Sequence, residues 1–183
     1  EGLGKIGDFV IGAQAEVEAT GLDEVEVYCG QKLAPSFFAW LVPTSPGKAL
    51  VGLFSRRNPR LYLKKFMSLL MASGKIVSGE VDISNGGIPL KPLPRTCSDR
   101  LVVVGTAAGQ VKPTTGGGIY FGLLCADIAA SHLHRALATN DLSARRLSGY
   151  QSEWHRKLGR ELRIGYWTRK VYEMLSDRQV DWL

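Results

Sequence analysis

Residues 101–119 read LVVVGTAAGQVKPTTGGGI, and no other segment of this 183-residue chain says as much about its architecture. The run Leu101–Val104 is apolar and β-branched, which is typical of a strand that is buried on both faces. Glycine-rich turns follow at Gly105–Gly109 and Pro113–Gly118, where the backbone can approach a ligand without a Cβ atom. The next segment is apolar with helical periodicity, so the positive end of a helix would face an anionic or carbonyl-rich ligand. For glycine content alone, an ordinary tight strand-to-helix connection is the alternative.

The same string resembles the second flavin-binding motif of the geranylgeranyl reductase family, within the FAD-dependent oxidoreductases that resemble para-hydroxybenzoate hydroxylase. Members of that family typically read GDAAGxxxPxxGGGI. Thr106 replaces the family's aspartate, which contacts the ribityl chain of FAD. The resemblance implies that Thr106 and the matching positions contact FAD, and the backbone contacts do not depend on the side chain at 106. The matching positions are Gly105, Ala107, Ala108, Gly109, Pro113, Gly116, Gly117, Gly118 and Ile119.

A second segment, FFAWLVP at 37–43, partly matches a Tyr-x-Trp-x-Phe-Pro pattern that lines the isoprenoid cavity in the same family. Phe38, Trp40, Val42 and Pro43 occupy the pattern positions. The resemblance therefore implies that these four residues form a wall for a lipid substrate. Alternating apolar residues in a strand are also typical of plain core, and the pattern alone leaves that alternative open.

The resemblance runs from about Asp8 to about Tyr150 and implies a portion of an FAD-dependent oxidoreductase of lipid biosynthesis that reduces geranylgeranyl-type double bonds. FAD would be the cofactor, and NAD(P)H or ferredoxin the electron donor. The alternatives are a related flavin monooxygenase, halogenase or electron-transfer dehydrogenase, and a non-catalytic lipid-binding module. We expect the intact protein to be an enzyme and this chain alone to be inactive. No catalytic residue is identified.

The nucleotide-binding turn expected of such flavoproteins is missing. Gly2, Gly4 and Gly7 have the G-x-G-x-x-G spacing, but that fingerprint requires a strand before it and a helix after it. Only Glu1 precedes the first glycine, and Asp8–Ala19 alternates like a strand. We therefore expect the C-terminal part of a longer reductase, in which the N-terminal half of the FAD-binding domain is absent. Uncovered strand edges would then favour self-association.

The periodicity predicts an α+β fold. Strands at 9–19 and 25–29 form an antiparallel hairpin, and strands at 37–42 and 49–54 flank a PTSPGK turn. Residues 1–100 are predicted to be a substrate-binding antiparallel sheet region with one packed helix. Residues 101–183 are predicted to be an FAD-contacting segment followed by helices.

Four helical regions are predicted from apolar spacing and end signals. In the first, Asn58 caps the helix, Pro59 occupies its first turn, and an apolar face lies opposite two lysines. The second spans 119–137. The third is capped by Asp141 or Ser143, and a separate helix covers 167–175. The apolar face of the first helix is Tyr62, Phe66, Leu69 and Leu70, opposite Lys64 and Lys65, and the stripe of the third is Leu147, Tyr150, Trp154 and Leu158.

Composition narrows the functional classes. The chain is 45% hydrophobic and 22% charged, which is ordinary for a globular protein. Cys29, Cys97 and Cys125 are odd in number and widely spaced, which favours a reducing compartment and a cytoplasmic location. No apolar run approaches the length of a membrane span. His132 and His134 are two residues apart on a predicted helix, so the sequence predicts no metal site, and no G-x-S-x-G turn is present.

The net charge of +6 is concentrated near the C-terminus. No nucleic-acid-binding motif accompanies the basic residues, so we expect no nucleic acid partner. Peripheral contact with an anionic membrane surface fits a lipid substrate, and a solvated helix face is the alternative. The basic residues are Arg145, Arg146, Arg156, Lys157, Arg160, Arg163, Arg169 and Lys170.

Overall fold

The computed structural model describes residues 2–77, 81–180 and 182, and these form two compact units. The first, which we call the turn unit, comprises 1–9 and 88–170. The second, the sheet unit, comprises 10–87 and 171–183. Their bounds differ from the predicted boundary at residue 100, and the division of flavin and substrate contacts between 1–100 and 101–183 stays a prediction.

Five strands form one sheet in the order β2-β3-β4-β1-β5. β1 pairs antiparallel with β4, and β2 pairs antiparallel with β3, so the predicted hairpin between the first two strands is wrong. Alternation of apolar and polar residues correctly predicts the strands themselves, but not their partners. The β3–β4 hairpin lies at the centre of the sheet, β1 pairs with β4 on one side, and β2 pairs with β3 on the other. The strands are β1 (Phe9–Glu18), β2 (Glu26–Cys29), β3 (Phe38–Ser45), β4 (Lys48–Ser55) and β5 (Ser84–Pro89).

Helix α1 (Pro59–Ala72) packs its apolar stripe against one face of this sheet. The predicted stripe is partly wrong, because Leu69 is 58% exposed while Leu63 and Met67 are buried with Phe66 and Leu70. The outward position of Lys64 and Lys65 is confirmed. From the sheet, the residues buried in this core include Ala13, Ala15, Val17, Ala39, Leu41, Val51 and Leu53.

The predicted cap of α1 is wrong in mechanism. Asn58 stands at the N-cap position, but its backbone is left-handed, with φ of 42°, and its side chain makes no cap hydrogen bond. Its carbonyl oxygen accepts hydrogen bonds from the backbone N–H groups of Leu61 and Tyr62. Asn tolerates a left-handed backbone better than most residues. Asn58 therefore suits the left-handed turn before α1, although its side chain does not cap the helix.

In the turn unit, the predicted buried strand Leu101–Val104 is wrong in length and burial. Only β7 (Leu101–Val102) is strand, and it pairs with the two-residue β6 (Cys97–Ser98). Leu101 is 39% exposed, and residues 102–104 are half-buried. A ladder this short cannot cover both faces of the segment, and apolar β-branched composition alone did not reveal that.

Three further helices follow among the described residues. They are α2 (Ile119–Ala138), α3 (Ala144–Met174) and α4 (Asp177–Val180). The predicted extent of α2 is confirmed to within a residue. The predicted separate helix at 167–175 is wrong, because α3 is one helix of 31 residues that no proline interrupts.

The apolar stripe predicted for α3 is confirmed as packing surface against α2. Ser143 begins the helix as predicted, its Oγ accepting the backbone N–H of Arg146 at 3.3 Å.

The α+β class and the antiparallel sheet with a packed helix are also confirmed. The glycines at 2, 4 and 7 are followed by strand β1, not by the helix that a nucleotide-binding fingerprint requires. The buried stripe of α3 comprises Leu147, Tyr150, Trp154, Leu158 and Leu162.

Among the described residues, no helix combines the length and the apolar character that crossing a bilayer demands. The same residues contain no group of three or more His, Cys, Asp or Glu side chains placed to bind a metal ion.

Candidate functional site

The first glycine turn is a short 3-10 helix, Gly105–Ala108, closed by Gly109. Gly105 and Gly109 have left-handed φ values of 70° and 72°. A Cβ atom on Gly109 would lie 2.3 Å from the carbonyl oxygen of Lys91, so packing as well as conformation requires glycine there. Thr106 and Ala107 are exposed at the tip of the turn, where a ligand can reach them.

The second glycine turn closes on itself and lies against the first. Gly116 donates its N–H to the carbonyl of Lys112 at 2.8 Å, and Lys112 donates to the carbonyl of Gly117 at 2.9 Å. A Cβ atom on Gly118 would lie 3.1 Å from the Thr106 hydroxyl oxygen. The fold therefore brings the two predicted turns together.

Helix α2 begins directly after the second turn with donors that suit a ligand. No side chain caps it, and its first turn contains no acidic residue. The N–H groups of its first three residues have no partner within the helix. Beside them, Ile119, Tyr120 and Leu123 are 84%, 70% and 68% exposed. Free donors next to an apolar surface fit a planar ring system with carbonyl groups on its edge, such as the isoalloxazine of FAD.

The predicted flavin-contacting residues differ in their surroundings. Ala108, Gly109 and Pro113 are buried, and Pro113 packs beside Gly165 of α3. The side of the turns that is open to a ligand comprises Gly105, Thr106, Ala107, Gly116, Gly117, Gly118 and Ile119, all exposed or half-buried.

Two buried polar residues that support the first turn were not predicted. The Gln110 Oε1 atom accepts the N–H of Gly105 at 2.7 Å, and Gln110 Nε2 donates to the Tyr150 hydroxyl at 2.8 Å. The Tyr150 hydroxyl in turn donates to the carbonyl of Val103 at 3.0 Å. Burial raises the pKa of Tyr150 to about 12, so the phenol keeps its proton. The position of Gln110 between the two glycine turns could have indicated its role. Tyr150 carried no such signal, because its spacing matches the apolar stripe of the predicted helix.

In the sheet unit, Phe38, Trp40 and Val42 lie on the face of β3 opposite to α1. Their alternate neighbours Ala39 and Leu41 are fully buried in the core under α1, whereas these three are half-buried. The predicted lipid-contacting side chains are therefore not part of that core. Pro43, the fourth predicted residue, follows on the same strand and is also half-buried.

Aromatic rings cover part of this second face of the sheet, beside Gln14 and Glu16 of β1. The Trp40 ring centroid lies 4.8 Å from that of Phe54 on β4 and 6.0 Å from that of Phe38. The indole N–H of Trp40 donates to Gln14 Oε1 on β1 at 3.2 Å. With its polar atom satisfied, the indole presents an apolar ring at this face.

The basic residues near the C-terminus do not form one uniform face. Lys157 pairs with Glu153 at 3.3 Å, and Lys170 with Asp8 at 3.5 Å. Arg169 is only 4% exposed. The exposed members are Arg145, Arg146, Arg156, Lys157, Arg160 and Arg163.

Comparison with known proteins finds relatives of this chain, although no family model matches it. Digeranylgeranylglycerophospholipid reductase 2 of Methanothermobacter thermautotrophicus is 36% identical over 177 residues, which cover 92% of this chain and 44% of the relative. The digeranylgeranylglycerophospholipid reductase of Methanocaldococcus jannaschii is 34% identical over 170 residues, covering 90% of this chain and 43% of that protein. The chain thus spans less than half the length of either relative.

A solved structure shows the same fold. The crystal structure of a geranylgeranyl bacteriochlorophyll reductase-like protein from Thermoplasma acidophilum matches 97% of this chain and 46% of its own with a TM-score of 0.83, at 24% identity. Over the length that it shares with the two archaeal reductases, this chain is similar to the geranylgeranyl reductase family.

Proposed function

We propose that this chain forms the FAD-contacting turns and the isoprenoid-binding sheet face of a reductase that acts on geranylgeranyl-type double bonds. The relatives described above are named as digeranylgeranylglycerophospholipid reductases. The observation that carries the proposal is the two-sided character of the sheet. One face carries the core under α1, and the other carries half-exposed rings at Phe38, Trp40 and Phe54.

The ring-covered face fits a hydrocarbon chain better than a polar ligand. Burying an apolar chain gains about 0.8 kcal/mol for each CH₂ group removed from water. The polar atom of Trp40 is already paired with Gln14, so the face offers little to a polar ligand at that point. Binding there would hold an isoprenoid by its length rather than by specific hydrogen bonds.

FAD would contact the exposed side of the glycine turns and the N-terminus of α2. When bound in its reduced form, FAD would supply a hydride to one carbon of a double bond while a proton adds to the other carbon, with NAD(P)H or ferredoxin as the source of electrons. The chain's own contribution would be orientation: backbone donors at the N-terminus of α2 would hold the polar edge of the ring, and the exposed Ile119 and Tyr120 would provide apolar contact. Their burial against the ring would also exclude water from it.

Flavin retention tests the first half of the proposal. The chain is incubated with FAD and desalted, and its visible absorption spectrum is recorded; we expect retained flavin. Ile119→Glu places a carboxylate among the α2 donors, where it competes with the ring edge without unfolding an 84% exposed position. Ile164→Glu, at a 54% exposed position on α3, is the control and should keep the flavin. Equal retention by both variants, or a colourless unmodified protein, would contradict the proposal.

Lipid binding tests the second half. Equilibrium binding of tritiated geranylgeraniol is measured for Trp40→Ala and for Leu69→Ala, which truncates a 58% exposed residue on α1. We expect Trp40→Ala to weaken binding and Leu69→Ala to leave it unchanged. The opposite result would place the isoprenoid elsewhere.

The same measurements separate the alternatives. Tight isoprenoid binding without any flavin would favour a non-catalytic lipid-binding module. Retained flavin, with oxygen consumption and a hydroxylated product, would favour a monooxygenase. Contact of the exposed arginines with an anionic membrane surface, and self-association, stay predictions.

A further inference from the structure

We propose, on the basis of the FAD binding proposed above, that Gln110 and Tyr150 are positioning residues that hold the first glycine turn in its ligand-binding conformation. Neither residue reaches the exposed side of the turn, since both are fully buried. They act through the backbone of Val103 and Gly105.

Gln110 holds Gly105 at both of its polar backbone atoms. The side-chain oxygen of Gln110 accepts the Gly105 N–H at 2.7 Å, and the backbone N–H of Gln110 donates to the Gly105 carbonyl at 3.0 Å. These two bonds close the turn as a ring. The two bonds thereby hold Gly105 at φ of 70°. Without them, a glycine would populate positive and negative φ values about equally.

Tyr150 connects this ring to helix α3. Its hydroxyl accepts from Gln110 Nε2 at 2.8 Å and donates to the Val103 carbonyl at 3.0 Å, so the backbone entering the turn is fixed as well. Burial raises the pKa of Tyr150 to about 12, further above physiological pH than the ordinary value of 10, so the hydroxyl remains a donor. In a buried chain of this kind, each hydrogen bond depends on its neighbours.

The anchor also sets the distance between the turn and α2. A Cβ atom on Gly105 would lie 3.8 Å from the Cα atom of Gly122, in the first turn of that helix. Thr106 and Ala107, the next two residues, are the exposed tip. If Gly105 rotates, the tip moves relative to the α2 donors, and a ligand that contacts both loses part of its binding.

Tyr150→Phe removes the hydroxyl while keeping the ring that packs in the core. The matched control is Thr96→Val, which removes the hydroxyl that accepts the Trp154 indole N–H at 2.9 Å. Thr96 is also fully buried, and Trp154 lies one turn beyond Tyr150 on α3. Each variant removes a buried hydroxyl that makes two hydrogen bonds beside the same helix, with Gln110 and Val103 for Tyr150 and with Trp154 and Gln151 for Thr96. Only Tyr150→Phe releases the glycine turn.

The dissociation constant for FAD and the residue-resolved hydrogen exchange of the Gly105 and Gln110 amides are measured, with urea unfolding as the common reference. We expect Tyr150→Phe to weaken FAD binding about tenfold and to accelerate exchange at Gly105, whereas Thr96→Val changes neither at a similar loss of stability. Unchanged FAD affinity in Tyr150→Phe, or an equal loss in Thr96→Val, overturns the inference. If the unmodified chain binds no FAD, the proposed function fails, and unaltered Gly105 exchange in Tyr150→Phe then refutes the anchor separately.

Discussion

The indole ring of Trp40 lies directly over Gly52 of the neighbouring strand. A Cβ atom at position 52 would stand 2.4 Å from Trp40 Cζ2, closer than any non-bonded carbon pair allows. The strand register aligns Gln14, Gly52 and Trp40 in one row across β1, β4 and β3. The missing side chain at 52 is what lets the ring lie along the sheet and reach Gln14 Oε1.

Gly52→Ala is therefore expected to displace the indole and break its bond to Gln14. We expect the free energy of unfolding to fall by about 1–3 kcal/mol, as for other overpacked sites, and geranylgeraniol binding to weaken. Urea unfolding and equilibrium binding measure the two effects. Gly86→Ala on β5 is the control, because a Cβ there meets nothing within 4 Å. If both alanine variants have the same stability and the same geranylgeraniol affinity, the packing of Trp40 over Gly52 contributes to neither.

Two glycines of the predicted flavin-contacting turns should respond differently to alanine. Gly109→Ala combines a left-handed φ of 72° with a Cβ only 2.3 Å from Lys91 O, so we expect a loss of about 3 kcal/mol or more in the free energy of unfolding. Gly117 is exposed, and its nearest Cβ neighbour is Thr115 Oγ1 at 3.3 Å. Gly117→Ala should leave stability within about 0.5 kcal/mol while reducing FAD retention. Thermal unfolding and the desalted absorption spectrum distinguish the two, and a stable Gly109→Ala protein would contradict the packing argument.

Local signals predicted much of this fold because they act over a few residues. The Pro-Gly turn between β3 and β4 and the apolar spacing of α2 depend on neighbours in sequence, and both elements form where expected. The partner of β1 could not be predicted in this way, since Val17 pairs with Ala49 across a long separation in the chain. The continuity of α3 through Gly159 and Gly165 depends on tertiary packing, which outweighs the modest helix cost of each glycine.

The parts of the candidate site that short sequence motifs mark were predicted, and the part that depends on distant residues was not. The glycine turns and the Phe38–Trp40 face were predicted as ligand-contacting segments, and the structure shows an exposed side to each. The anchor between Gln110 and Tyr150 was not predicted, because 40 residues separate its two members and neither belongs to a motif. Buried polar pairs of this kind become visible only when hydrogen-bond partners are known.

The cysteines give a direct test of burial in both units. Cys29 is exposed, whereas Cys97 and Cys125 are buried, and burial raises the pKa of Cys125 to about 11. The thiolate is the reactive form, so a raised pKa keeps Cys125 protonated and inert near pH 8. With iodoacetamide at about that pH, we expect rapid alkylation of Cys29 alone in the native protein, and of all three cysteines in urea. Peptide mass spectrometry assigns the sites, and rapid native labelling of Cys125 would show that the α2–α3 core opens.

An acid-sensitive ion pair joins Glu26, at the start of β2, to Lys75, three residues beyond the end of α1. Lys75 Nζ lies 2.6 Å from the Glu26 carboxylate, which also accepts from the Tyr28 hydroxyl, and these bonds lower the pKa of Glu26 below its ordinary 4.5. A carboxyl group whose pKa is lower in the folded protein than in the unfolded chain stabilises the fold at pH values above the unfolded-state pKa. This stabilisation is lost as the pH falls through the folded-state pKa. Glu26→Gln should therefore be less stable than the unmodified protein at neutral pH, with the difference shrinking below pH 4.5 in urea unfolding at stepped pH. Glu24→Gln, at an exposed carboxylate without an ion pair among the described residues, should show no such dependence. A difference for Glu26→Gln that persists at low pH would mean that the carboxylate charge is not what stabilises this contact.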